Sequence, residues 1–418
     1  MQERPFLLDM SVLKSILRLR VLLRIEYTQT QGDNIVSKNK VRAFLSRAGL
    51  QINGPNEFDP EVASNEFYRM VTLKGMLGLG ESYVLGHWDC EDLEGFFLRA
   101  FRAGLLEELA SALPMKVMRF MYRVGNPQSV IRAKHNAQDH YAKQEVVVLA
   151  MTGKRKAYTC ARWNDPLDPD ETDIDLAQER KLQLIYNKLC LNPGKKILDI
   201  GCGWGSLIGF LAERGVDSYG ITPVDSQVEY IRNVYGRNVY GGAVKVAVAD
   251  YRNHPYGCNL FDAIVSVGMY EHVGRKNADA YMRAVKNLLA PESLALTHCF
   301  GIANSKVPLI DPWTEKYIFP GAYLPTLSEI VQVSENAGMR IVDVEEMGIN
   351  YQKTLRCWYR NFLEAWPALE QNQGLNSSFF RMWRYYLLIA TAAFGARKLD
   401  LWQVVHQPIA DMCHYKRV

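Results

Sequence analysis

LDIGCGWG, residues 198–205, is the stretch that decides the fold. A short apolar run ends in a glycine-rich turn, and a helical segment near 206–214 follows it. Gly201, Gly203 and Gly205 alternate with Cys202 and Trp204. Glycine at such a turn permits backbone conformations and close approaches that a side chain would block. Working outward, the same strand-then-helix pattern recurs. Strands are predicted at 195–201, 218–222, 243–250, 261–268, 293–299 and 340–346, with helices near 206–214, 225–235, 277–290 and 327–338. Short apolar strands bracketed by helices build a doubly wound, mostly parallel α/β sheet covered on both faces. Ligands of such sheets bind beyond the carboxyl ends of the strands, near the point where strand order reverses.

The turn itself narrows the ligand. Glycine-rich loops serve nicotinamide, flavin and S-adenosylmethionine (SAM) sites alike. Here the spacing is G-x-G-x-G rather than G-x-G-x-x-G, and Asp199 lies where a dinucleotide's pyrophosphate would be repelled. A carboxylate beside SAM's amino group and sulfonium is electrostatically sensible. Gly-Lys-Ser/Thr is absent, which excludes a P-loop. The second strand ends at Thr222 and its turn supplies Gln227, neutral groups where an acidic residue usually accepts from ribose hydroxyls. Asp250 and Tyr251 end the third strand, a carboxylate for an adenine amino group and a ring to cover the base. Singly, these residues are more often caps or turn residues. Together at successive strand ends they point to a nucleoside.

Three further polar motifs stand at strand ends: Tyr270-Glu271-His272, Thr297-His298-Cys299 and Asn350-Tyr351, with Tyr158-Thr159-Cys160 upstream of the sheet. Glu, His and Tyr converging on an apolar cleft are costly unless they share a hydrogen-bond network or bind something polar. Alone, His298 reads equally well as a satisfied core histidine and Tyr351 as packing. Cys160 and Cys299 read as small buried hydrophobes.

Composition bounds the rest. The 418 residues suggest two domains, and 48% hydrophobic with 22% charged residues suits a soluble globular chain. No uncharged apolar run reaches the ~18 residues of a spanning helix. A net charge of +4 does not demand nucleic acid. Eight cysteines without C-x-x-C argue against a disulfide framework or a metal cluster, and fit reduced intracellular thiols. Residues 1–26 set apolar positions among Lys14, Arg18, Arg20 and Arg24, as in a basic amphipathic helix on anionic lipid, a transit segment or a docking helix. Residues 38–140 read as mainly helical, with Leu93, Phe96, Phe97, Phe101 and Leu105 at helical spacing. Lys116, Arg119, Arg123, Arg132 and Lys134 occur there in a stretch free of acidic residues, as a lipid-headgroup patch or a solvated helix face.

The chain resembles the cyclopropane-fatty-acyl-phospholipid synthases. The resemblance is carried by LDIGCGWG, VSVGMYEHVG (265–274), DPWTEKYIFPGAYLP (311–325), NYQKTL (350–355), CWYRNFLEAWP (357–367) and LDLWQVV (399–405). FLSRAGLQING (44–54), LGLGESYVLGHWDC (77–90) and FFLRAFRAGL (96–105) extend it into the N-terminal part. It implies an extension over 1–37, a mainly helical lipid-associated domain over 38–140, and a catalytic domain over 141–418 built on a seven-stranded, Rossmann-like SAM-methyltransferase sheet. It also implies transfer of a methylene carbon from SAM to the cis double bond of an unsaturated phospholipid acyl chain at a membrane surface. The protein would then be a cytoplasmic, peripheral homodimer without a metal or nucleic acid. The cofactor set it implies is Tyr158, Thr159, Asp199, Gly201, Gly203, Gly205, Thr222, Gln227, Asp250 and Tyr251. Its catalytic set is Glu271, His298, Tyr351 and Cys160, which would hold a bicarbonate that deprotonates a carbocation, aided by the backbone amides of Cys160 and Phe300.

Family members carry Tyr-Asp-x-Gly-Asn where this chain has Tyr141-Ala142-Lys143-Gln144-Glu145. Lys154-Arg155-Lys156 replaces mainly apolar residues, and Arg162 an aromatic one. These changes keep two other readings in play, acyl-chain methylation without ring closure and a catalytically silent lipid-binding homologue.

Overall fold

The computed structural model describes residues 32–110, 144–236, 241–302, 311–410 and 415–417. The proposed helix within 1–26 and the basic stretch 113–134 lie outside them. Two short strands, β1 (Glu61–Val62) and β2 (Trp88–Asp89), pair antiparallel in the N-terminal part. The main sheet holds β3 (Lys196–Ile200), β4 (Asp217–Thr222), β5 (Val244–Val248), β6 (Phe261–Val267), β7 (Leu289–Gly301), β8 (Met339–Glu346) and β9 (Asp400–Pro408).

Their order is β5-β4-β3-β6-β7-β9-β8. β3, β4, β5, β6 and β7 pair parallel to one another, and β9 runs antiparallel to its flanking strands β7 and β8. Strand order reverses between β3 and β6, so the turns after Ile200 and Val267 bound the crevice where a ligand is expected. β3 sits at the centre with Ile197, Leu198, Asp199 and Ile200 buried, which explains its near-continuous apolar sequence.

Six strands and four helices fall where the sequence places them. The observed helices are Ser206–Ala212, Asp225–Tyr235, Ala278–Leu288 and Leu327–Asn336. The last opens on a capping box, Thr326 accepting from the Glu329 amide while the Glu329 side chain returns to the Thr326 amide. The seventh strand, β9, follows two long helices, Gly348–Gln373 and Ser377–Gly395, rather than a strand–helix alternation. Its order in the chain therefore hides it from a periodicity search.

In the N-terminal part Leu93, Phe96 and Phe97 are buried on helix Leu93–Arg102, as the spacing predicts. Gly104 (φ 72°) then breaks the run, and Leu105 begins a separate helix. These helices share one hydrophobic core with Gly348–Gln373 and Ser377–Gly395. Tyr385 joins Tyr83, Phe97 and Trp313, with ring centroids 5.5, 5.1 and 4.4 Å apart. Arg384 and Arg381 donate to the backbone carbonyls of Cys90 and Trp88, and both pair with Asp89. The N-terminal helices thus buttress helix Ser377–Gly395, and Glu94 reaches the helix that carries Tyr351 through Arg356.

The edge strand β8, which leads into that helix, is fastened by charge. Lys188, 1% exposed, lies 3.0 Å from Asp343 and 2.7 Å from Glu345, with Arg417 and Arg162 completing the cluster. Removing one member of a buried ion network strands the others. Lys188→Met is expected to cost about 3–5 kcal/mol in urea unfolding, whereas a loss below 1 kcal/mol would show the two arginines suffice.

Candidate active site

Two adjoining cavities open at the carboxyl ends of the central strands. The first is bounded by Lys156, Tyr158, Thr159, Lys181, Asp199, Gly201, Gly203, Gln227 and Gly268, among others. The second is bounded by Cys160, Glu271, His298, Phe300, Phe319 and Tyr351. Tyr158, Thr159 and Gly268 belong to both, so the cavities share a wall. Gly268 takes φ 68°, and a β-carbon there would stand 2.7 Å from Thr159 Cγ2. A larger residue would close that junction.

Gly201, Gly203 and Gly205 take φ of 87°, 53° and 82°. At Gly205, which starts helix Ser206–Ala212, a β-carbon would lie 2.8 Å from Ile231, so close packing of two helices requires glycine. Asp199 is 3% exposed and its Oδ1 has no hydrogen-bond partner. Burial pushes its carboxyl up to about 7, with the Lys181 ammonium working against that rise. Thr222 Oγ1 donates to Gln227 Oε1 over 2.6 Å, so Thr222 meets the first cavity only through Gln227.

Asp250 and Tyr251 do not border this cavity. Arg252, two residues on, grips both Asp250 oxygens at 2.7 Å, and Tyr251 packs edge-on to Tyr281 at 5.4 Å. The sequence places them at a strand end, but β5 is the far edge strand, two removed from the switch point.

In the second cavity Glu271 and His298 are each 1% exposed. Glu271 Oε1 accepts from the Phe300 amide at 2.8 Å, while Oε2 has no partner. Burial pushes Glu271 up to about 7, although the Phe300 bond favours the ionised form. The Phe300 amide is therefore committed to Glu271, rather than standing in the cradle the sequence reading assigns it. His298 Nδ1 lies 3.2 Å from Gln403 Nε2, and His298 Nε2 has no partner. An amide N–H donating to Nδ1 leaves the imidazole proton on Nε2. Burial, with the Lys181 and Lys188 cations, holds His298 neutral by lowering its pKa well below the usual value.

Tyr351 stands one turn into helix Gly348–Gln373, its ring 4.8 Å from Phe394 and 6.2 Å from Phe300. Cys160 is fully buried, its thiol donating to the Ala161 carbonyl at 3.2 Å, and burial raises its pKa. Tyr158 bonds Tyr386 through their hydroxyls at 2.8 Å and packs on Trp358 at 5.1 Å. Gln403, beside His298, and Lys181, on the wall of the first cavity, are buried polar residues that sequence reasoning passes over. The WQ pair in LDLWQVV and the repeat of charge at 179–181 are their only signals.

The altered upstream segment is accounted for by surface pairing. Arg155 forks onto Glu213 and Glu179, the Lys154 amide donates to Asp175, and Arg162 pairs with Glu345. Lys156 Nζ donates to the Leu149 carbonyl at 3.0 Å. Gln144 donates to the Tyr317 carbonyl at 3.2 Å, while 141–143 lie outside the described residues.

The mycolic acid cyclopropane synthetase family model matches residues 128–404. The chain is 38% identical, over 87% of its length and 91% of the relative's, to cyclopropane-fatty-acyl-phospholipid synthase of Escherichia coli (strain K12). It is 29% identical, over 80% of its length and 79% of the relative's, to tuberculostearic acid methyltransferase UfaA1 of Mycobacterium tuberculosis. Among solved structures, the mycolic acid cyclopropane synthase CmaA1 complexed with SAH and CTAB superposes with a TM-score of 0.57. The match is at 24% identity and covers 66% of this chain and 98% of that one.

Glu271 has a folded-state pKa of about 7 against an ordinary 4.5, so its proton favours the fold. That contribution is complete below about 4.5 and is lost as pH rises towards 7. Relative to Glu271→Gln, the parent is expected to lose about 3 kcal/mol of unfolding free energy between pH 4.5 and 7.5. Parallel pH profiles in urea titrations would contradict this.

Proposed function

The chain belongs to the mycolic acid cyclopropane synthetase family and is a SAM-dependent methyltransferase, and from that premise we propose that it is a cyclopropane-fatty-acyl-phospholipid synthase. The observation that carries the proposal is the pair of unpartnered buried atoms, Glu271 Oε2 and His298 Nε2, in one aromatic cavity beside the glycine turn. Buried polar atoms left unpaired are costly, and a small anion with proton-sharing oxygens would satisfy both.

In this reading SAM supplies an electrophilic methyl carbon, and bicarbonate a base for the proton that leaves before ring closure. Asp199, Gln227, Thr159, Tyr158 and the Gly201–Gly205 turn bind the cofactor in the first cavity. The acyl chain enters the second cavity. Phe300, Phe319, Tyr351 and Tyr158 exclude water there and offer π faces to a carbocation on the chain. His298 donates from Nε2–H, and a Glu271 carboxyl near pH 7 shares its proton with an anion instead of repelling it. Tyr351 and the Cys160 amide complete the anion's surroundings. Holding the donor against a weakly nucleophilic alkene is the main contribution of the scaffold.

The phospholipid substrate makes the protein a peripheral one at a cytoplasmic membrane face, and a homodimer is proposed with it. No helix among the described residues is long and apolar enough to cross a membrane. Methylation without ring closure is the second reading, favoured by the likeness to UfaA1.

Incubation with SAM and vesicles of unsaturated phospholipid is expected to yield acyl chains with high-field cyclopropane ring protons in the NMR spectrum. Vinylic or exomethylene protons on a methylated chain would favour the second reading, and unchanged lipid the silent homologue. Glu271→Gln and His298→Ala are each expected to lower kcat by about 10²-fold or more while the affinity for S-adenosylhomocysteine stays within about threefold. Equal losses of both would assign these residues to binding.

A further inference from the structure

Lys181 is an outlier that neither the fold nor the proposed chemistry uses. It lies on helix Ile174–Lys188, is 1% exposed, and its side chain borders the first cavity. Its ammonium donates to Thr159 Oγ1 at 2.9 Å. Asp199, the acidic residue on the same cavity's wall, is 3% exposed with Oδ1 unpartnered, and the two groups do not form an ion pair with each other. Burial pulls Lys181 down to about 8, with Cys160 and Asp199 opposing that fall. Two opposite charges held out of water with so few protein partners are costly unless a ligand completes them.

A zwitterion would resolve it. An amino acid carries an ammonium and a carboxylate on one carbon, and a cavity with a buried carboxylate and a buried ammonium on its walls is its electrostatic complement. We propose that Lys181, together with the Thr159 hydroxyl it orients, receives the α-carboxylate of the cofactor's methionine moiety, opposite Asp199. Thr159 stands on the wall shared with the second cavity, and its bond holds the Lys181 ammonium beside that wall. Binding the carboxylate there sets the sulfonium's position relative to the acyl chain. The neighbouring titratable groups are Asp199 on β3, Cys160 in the upstream loop and His298 on β7, and of these Asp199 alone borders the same cavity.

The inference rests on the SAM reading, and calorimetry separates the two. S-adenosylhomocysteine carries the zwitterion, whereas 5′-methylthioadenosine keeps the nucleoside and thioether without it. Lys181→Met and Lys181→Gln are expected to weaken S-adenosylhomocysteine by about 10- to 100-fold. Binding of 5′-methylthioadenosine is expected to stay within about twofold, which also reports an intact nucleoside site. Equal weakening of both ligands, or unchanged S-adenosylhomocysteine affinity, overturns the assignment. A parent protein that binds neither ligand overturns the SAM reading itself.

Discussion

Desolvation of polar groups that lack partners is the constraint around which this protein is built. Asp199, Glu271 and His298 sit at the carboxyl ends of three adjacent strands of one sheet, almost without access to water. Each retains an atom with no protein partner. A core assembled for stability alone would fill these positions with apolar side chains. Their survival beside two connected cavities is what a site for polar ligands requires. The same burial raises both carboxyls to near neutrality and keeps the imidazole uncharged. The second cavity therefore holds a carboxyl that can keep its proton near neutral pH.

Rigid support for this arrangement comes from opposite ends of the chain. The sheet supplies Asp199 and His298, the turn after β6 supplies Glu271, and Tyr351 arrives on a helix that leaves the edge strand β8. That helix is held by the aromatic core it shares with the N-terminal helices, and β8 by the charge cluster around Lys188. Gln403, on β9, the antiparallel strand of the main sheet, reaches His298 from its neighbour and sets which ring nitrogen bears the proton. Distant elements thus decide the direction in which each group donates or accepts.

The charged replacements in the upstream segment find physical work outside the cavities. Arg155 bridges helix Ile174–Lys188 to the end of helix Ser206–Ala212, and Arg162 joins the cluster on β8. Ion pairs therefore fasten this strap to its neighbours. Tyr158 and Thr159, carried by that strap, stand on the wall common to both cavities, and Cys160 borders the second. Lys156 alone of the replaced residues borders the cofactor side.

The residues by themselves determined the parallel sheet, its glycine turn and the strand ends where chemistry gathers, because period-two apolar runs, turn glycines and helix spacing are local properties of the chain. Convergence of Glu271, His298 and Tyr351 was legible as a pattern of motifs at successive strand ends. Local pattern could not show that Asp250 is captured by Arg252, or that the Phe300 amide is spent on Glu271. Nor could it place β9 between β7 and β8, since an antiparallel return after two helices has no local signature. The roles of Lys181 and Gln403 were decided only by the tertiary structure. A buried lysine or glutamine looks like any surface residue in sequence, and its energy depends on neighbours that folding brings from far along the chain.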